Sequence, residues 1–225
     1  MTAVRTPPRA VPVDLRGRRR WPYLTGFLLA GAGIAATVTW VLVVPALRGP
    51  WWTQYTGYGS VSVQDSHVRL APRTPDGPDD THAALVLSRR HYEDVTVSAT
   101  VTTTRQLRAG TPNPWEVGWV LWHETDPQHF YALTLKPNGW ELSKQVPGAP
   151  GGQQFLASGE DRSFPVGTPY HVQVTQRGGR ITAVVDGEPL LDFTDSHPYT
   201  TGAVGLYTED ANVSFTQVSV SESRG

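Results

Sequence analysis

From residue 60 onward, apolar residues recur at every second position in short runs, and each run stops at glycine, proline, asparagine or aspartate. Period two is the pattern of strands with one buried face. Candidate strands are 60–64, 67–72, 82–88, 94–104, 116–124, 130–136, 140–145, 154–158, 170–176, 180–186, 189–194, 203–208 and 213–220. Pro-Asp-Gly (75–77), Pro-Asn-Gly (137–139), Gly178-Gly179 and Asp186-Gly187-Glu188 between them are hairpin signals. No helical period is visible in this part. The pattern predicts an all-β domain from Trp51 to the end, a two-sheet sandwich or jelly roll. The face Val95, Val97, Ala99 and Val101 is assigned to the core, and the threonines between them to an outer or edge face.

The first 48 residues differ in kind. Residues 1–20 are rich in proline and arginine and read as a disordered basic tail. Residues 21–47 carry no charge, and 27 residues are enough to cross a bilayer core of about 20 apolar residues. Arg16, Arg18, Arg19 and Arg20 precede the run, so the tail is expected in the cytoplasm and the body outside the membrane. Trp21, Tyr23, Trp51 and Trp52 near its ends read as interfacial aromatics. The apolar run exceeds a signal-peptide core of about 7–15 residues, which favours an uncleaved anchor; Val44-Pro45-Ala46 keeps a cleavage site as the alternative.

Charge is distributed accordingly. Residues 1–48 sum to +6 and residues 49–225 to −7. An acidic body excludes a basic stripe facing phosphate, so nucleic acid is not an expected partner. Absence of cysteine removes disulfides and thiolate metal sites. Arginine far outnumbers lysine, a bias that fits a GC-rich bacterial genome.

Four stretches, in this order, carry a resemblance: "HYEDVTVSATV", "VGWVLWHETDPQHFYALTLKPNGWELSK", "YHVQVTQRGGRITAVVDGEPLLDFTD" and "GAVGLYTEDANVSFTQVSVS". The chain resembles the concanavalin A-like lectin/glucanase superfamily over about 51–221. Within it the chain is most similar to the domain of unknown function 1080, of the family-16-like or 3-keto-disaccharide hydrolase-like type, and laminin-G-like modules share the layout. The resemblance implies a jelly roll with its ligand on one sheet. Retaining glycanases of the superfamily carry Glu-x-Asp-x-x-Glu on one strand. Here Glu124-Thr-Asp126-Pro-Gln-His129 keeps two of the three carboxylates, and Pro127 belongs to a hairpin tip.

Three functions follow as expectations. The first is non-catalytic, lectin-like glycan binding by a membrane-anchored body at the bacterial cell envelope. The second is a glycoside hydrolase with atypical residues, and the third a laminin-G-like protein-interaction module. The incomplete acid set weighs toward binding. Strict alternation over 116–124 places Trp122 and Glu124 in a groove and Trp119 and His123 on the core side. Tyr131, Lys136, Trp140, Glu141 and Lys144 on the next strands complete the candidate site, with an indole to stack on a sugar ring. Asp76, Asp79 and Asp80 in one loop are the candidate ligands for Ca2+, which takes several oxygen donors.

Overall fold

The computed structural model of the chain describes residues 49–77 and 79–222. The expectations for the tail and for the apolar run 21–47 lie outside the described residues, and no helix among the described residues is long and apolar enough to cross a membrane.

The described part is two antiparallel seven-stranded sheets. One, the front sheet, has the order β1 (Trp51–Tyr55), β4 (Ala83–Tyr92), β13 (Gly202–Glu209), β6 (Gly118–Asp126), β7 (His129–Lys136), β8 (Gly139–Gln145), β9 (Gln153–Gly159). The other, the back sheet, has the order β12 (Glu188–Thr194), β11 (Arg180–Val185), β10 (Tyr170–Arg177), β5 (Val95–Gln106), β14 (Ala211–Glu222), β3 (His67–Ala71), β2 (Ser60–Gln64). The non-sequential neighbours make the crossovers of a sandwich. A single 3-10 turn, Pro150–Gly152, is the only helical element among the described residues.

Alternation builds the core between the sheets. Val95, Val97, Ala99 and Val101 on β5 and Val172 and Val174 on β10 meet Val120, Leu133, Leu142, Val204 and Leu206 of the front sheet. Burial of each of these valine and leucine side chains contributes about 1.5–3 kcal/mol. The threonines of β5 face outward, as expected; but β5 is paired on both sides, with β10 and β14, so it is no edge strand. Tight turns close the hairpins. Asp186 and Gly187 both take positive φ, 55° and 87°, which gives the turn the twist of its strands.

One strand escapes the sequence reading. Trp51–Tyr55 pairs with β4 as the edge of the front sheet, and Trp51 is buried in the inter-sheet core. Its tryptophans suggested a membrane interface and masked the strand.

The front sheet is apolar on its outer face too. Leu85, Leu87, Val117, Trp119, Leu121, Ala132 and Ala203 form a second buried cluster there, with Trp115, Phe130 and Tyr207 packed against it. This double burial decides where a ligand can reach the sheet.

Candidate functional site

The site begins with a break in the sheet's regularity. On β13, Ala203 pairs with Glu124 and Gly205 with Leu121, so Trp122 and His123 together stand opposite Val204. That is a bulge, with His123 at φ 51°. On the other side of β13, Ala203 pairs with His91 and Gly205 with Leu87, leaving Ser88, Arg89 and Arg90 opposite Val204. The Ser88 hydroxyl accepts the Val204 N–H at 2.9 Å and donates to the Arg90 carbonyl at 2.6 Å.

The bulge reverses the parity of β6 from His123 onward. Trp122 packs into the inter-sheet core. His123, also turned inward, sets its ring nitrogens 2.7 and 2.6 Å from the carbonyl oxygens of Tyr199 and Glu93. Burial pushes this imidazole down from its ordinary pKa, against the pull of the two carbonyls. With two successive residues turned inward, Glu124 comes out on the face of Trp119 and Leu121. There it lines a cleft of about 310 Å³ with Trp52 and Gln54 of β1, Leu87, Ser88, Arg89 and His91 of β4, Ala203, and Thr125, Asp126 and Pro127 at the β6–β7 tip.

The cleft mixes an exposed indole, Trp52, with donors and acceptors of both signs. Its two carboxyls differ. Burial, and then the charge of Asp126, push Glu124 up from its ordinary value. Asp126 loses some solvation, but His129 and the Gln128 N–H, at 2.8 and 2.7 Å from Oδ1, outweigh this and hold it below the usual carboxylate range. Burial thus favours the protonated form of Glu124, whereas the partners of Asp126 favour its ionised form, within one small volume.

The expected site residues divide between the two faces. Trp122 is not a groove residue: it is fully buried, and its indole N–H donates to Gln176 Oε1 at 2.6 Å. Tyr131 and Trp140 are likewise inter-sheet core. Lys144 is buried and reaches Asp195 at 2.8 Å and the His197 carbonyl at 2.5 Å, under the ring of Tyr199. Strict alternation failed at β6 because both its faces are apolar and because the bulge inserts a residue. Trp119 is buried as expected, but in the outer cluster. Glu141 and Lys136 pair with each other at 2.8 Å, and neither lines the cleft. Of the seven, only Glu124 does.

The candidate Ca2+ loop does not assemble. Asp76 pairs with Arg73, Asp80 accepts the Asp76 N–H and lies 3.5 Å from His82, and Asp79 is exposed. No group of three or more His, Asp or Glu that could hold a metal occurs among the described residues. Short-range contacts engage Asp76 and Asp80, and the three carboxylates do not gather around one point, so the donor set does not fit the ion.

Trp52, Gln54, Arg89 and His91 are cleft residues that sequence reasoning missed. The first two sit on the overlooked edge strand. Arg89 and His91 belong to an extension of β4 past residue 88, where alternation gives way to a polar run.

The model of the 3-keto-alpha-glucoside-1,2-lyase-like domain matches residues 46–221. No curated protein sequence matches the chain. Among solved structures, the carbohydrate-binding module CBM66 from Bacillus subtilis aligns with a TM-score of 0.59 at 19% identity, over 79% of this chain and 98% of that one. The Ca2+-bound exoplasmic/lumenal domain of VIP36 aligns at 0.55 and 15%, over 78% and 84%. A protein of unknown function with a galectin-like fold from Bacillus subtilis aligns at 0.53 and 15%, over 76% and 89%. At these identities the likeness is one of fold.

Proposed function

The chain belongs to the 3-keto-alpha-glucoside-1,2-lyase-like domain family, and from that premise we propose that it binds carbohydrate in the cleft between β1, β4 and the β6–β7 tip. The observation that carries this is the exposed indole of Trp52 in one small cleft with Gln54, Arg89, His91, Glu124 and Asp126. An indole stacks on the apolar face of a sugar ring, and the polar groups fix its hydroxyls. The fold shared with CBM66 and the VIP36 domain supports the reading. The apolar run 21–47 and the arginines before it support a single membrane anchor that holds the body outside a bacterial cell.

A glycan array probed with the full chain in detergent tests the reading. A bound glycan released by Trp52→Ala supports it. Binding unchanged in that variant, or no glycan bound, overturns it.

The contrast between Glu124 and Asp126 favours a second reading, catalysis on a 3-keto-α-glucoside, the class named by the family. In a 1,2-elimination a base removes the C2 proton, acidified by the neighbouring ketone, while the C1–O bond breaks and the departing oxygen takes a proton. Asp126, whose ionised form His129 and the Gln128 N–H favour, suits the base, and Glu124, whose protonated form burial favours, the acid. Incubating a 3-keto-α-glucoside with the protein and with Glu124→Gln distinguishes the readings: product formation that depends on Glu124 establishes catalysis.

A further inference from the structure

The outer face of the front sheet is long enough to hold an extended groove, yet it holds a short one. β13 runs along this face between β4 and β6, and from Ala203 to Glu209, at about 3.3 Å per residue, it spans near 20 Å. An open groove of that length would expose its floor. Instead the floor is sealed immediately beyond Ala203. Gly205 is buried, and a Cβ built on it would lie 3.1 Å from Leu121 Cβ, 3.1 Å from Leu87 Cδ2 and 3.3 Å from Leu85 Cδ1. Three leucines from the strands on either side thus close over Gly205, a position of β13 without a side chain. Past them, the rings of Trp119 and Tyr207 meet edge to face, 5.2 Å between centroids. The Trp119 indole N–H is tied to the Trp115 carbonyl at 2.8 Å, and the Tyr207 hydroxyl to Glu209 at 3.0 Å. Their polar atoms are already engaged within the protein, so these rings wall the cleft and do not extend it.

We propose that the cleft is blind and takes the terminal one or two residues of a glycan, so that the protein recognises chain ends and not chain interiors. This rests on the carbohydrate reading of the cleft and names the part of the glycan bound. A strand of sugar entering past Trp52 meets Leu87, the cleft-lining member of the plug it forms with Leu85 and Leu121, and has no exit along β13. The volume agrees: about 310 Å³ stands at the lower end of the range for small-ligand pockets, about 300–1,000 Å³.

The test compares glucans of one linkage, chosen from the α-glucoside named by the family. The full chain in detergent is titrated calorimetrically with maltose, with linear maltohexaose, and with the cyclic hexamer, which has the same linkages and no end. Equal affinity per mole for the two linear sugars, within about threefold, and no binding of the cyclic hexamer are expected. Cyclic hexamer binding as tightly as the linear one overturns end recognition, and so does a maltohexaose affinity more than about tenfold above that of maltose. Trp52→Ala separates the premise from the inference. Chain-end preference that survives this variant overturns the assignment to this cleft; length-dependent binding that the variant abolishes keeps the cleft and overturns its blindness. Failure of all three sugars to bind overturns the carbohydrate reading in its α-glucan form and the inference with it.

Discussion

Gly202 lies against the backbone of His123 so closely that a Cβ added to it would stand 2.7 Å from the Glu124 amide nitrogen, and closer still to His123 itself. Its φ of 155° is one that side chains rarely adopt. Gly202→Ala must therefore push β13 away from the bulge that presents Glu124. The expected cost is about 2–3 kcal/mol, the upper range for a single substitution, and a fall of roughly 4–12 °C in melting temperature. A thermal melt checks it, and a fall under about 2 °C would show that the bulge yields freely.

Two tryptophans give opposite readouts. Trp122→Ala removes a fully buried ring and leaves Gln176 Oε1 without its donor, so a loss of about 3–5 kcal/mol is expected. Trp52→Ala changes an exposed ring and is expected to weaken glycan binding about tenfold while moving the melt by less than about 3 °C. Melts and titrations of both variants check the pair; a stable Trp122 variant that fails to bind would restore that residue to the groove.

Lys144 and Asp195 form a buried ion pair at 2.8 Å. Burial alone would raise Asp195, but hydrogen bonds from Lys144 and Tyr131 outweigh it and hold the carboxyl below its ordinary value. The stability this contributes is complete above the unfolded-state value and is lost as pH falls through the depressed folded value. Lys144→Met, which strands a buried carboxylate, should cost about 3–5 kcal/mol at neutral pH and less at about pH 3. Denaturant unfolding at both pH values checks this; a cost independent of pH would mean that Lys144 acts through packing alone.

Glu124 has the opposite sign. Its folded-state value is raised by burial and by Asp126, so the folded protein holds this proton more tightly than the unfolded chain does. Its contribution to stability is therefore greatest in acid and declines as pH rises from the ordinary glutamate value through the raised folded one. Glu124→Gln, which cannot ionise, should melt at or above wild type at pH 7 and match it near pH 4. A variant that melts below wild type at pH 7 would show the carboxylate to be stabilised in the fold.

Much of this architecture was legible in the chain. Thirteen strands could be read because turn residues bound them and, in the back sheet above all, one face is polar, as at Val172 and Val174 against His171 and Gln173. The resemblance to the 3-keto-disaccharide hydrolase-like family is met by the family match. The site was less legible. β6 is buried on both faces, so period two cannot say which face meets the other sheet. The bulge at His123 depends on a tertiary contact with Gly202, 79 positions away, which no local pattern carries. Lys144 and Tyr131 looked like ligand contacts because a charge and a phenol are costly in a core; their partners, Asp195 and the loop up to Tyr199, are remote in sequence.

Ser88 has a wider consequence. At the bulged rung of β4 its hydroxyl stands in for a backbone carbonyl, accepting the Val204 N–H. A ladder made of peptide groups is the same whatever the side chains and cannot be edited by substitution. This rung can, because one of its members is a side chain. Threonine at 88 would keep the acceptor, whereas alanine would leave a buried N–H to find water or a new register. Substitution at this one position can thus reset the mouth of the cleft without touching a peptide–peptide rung.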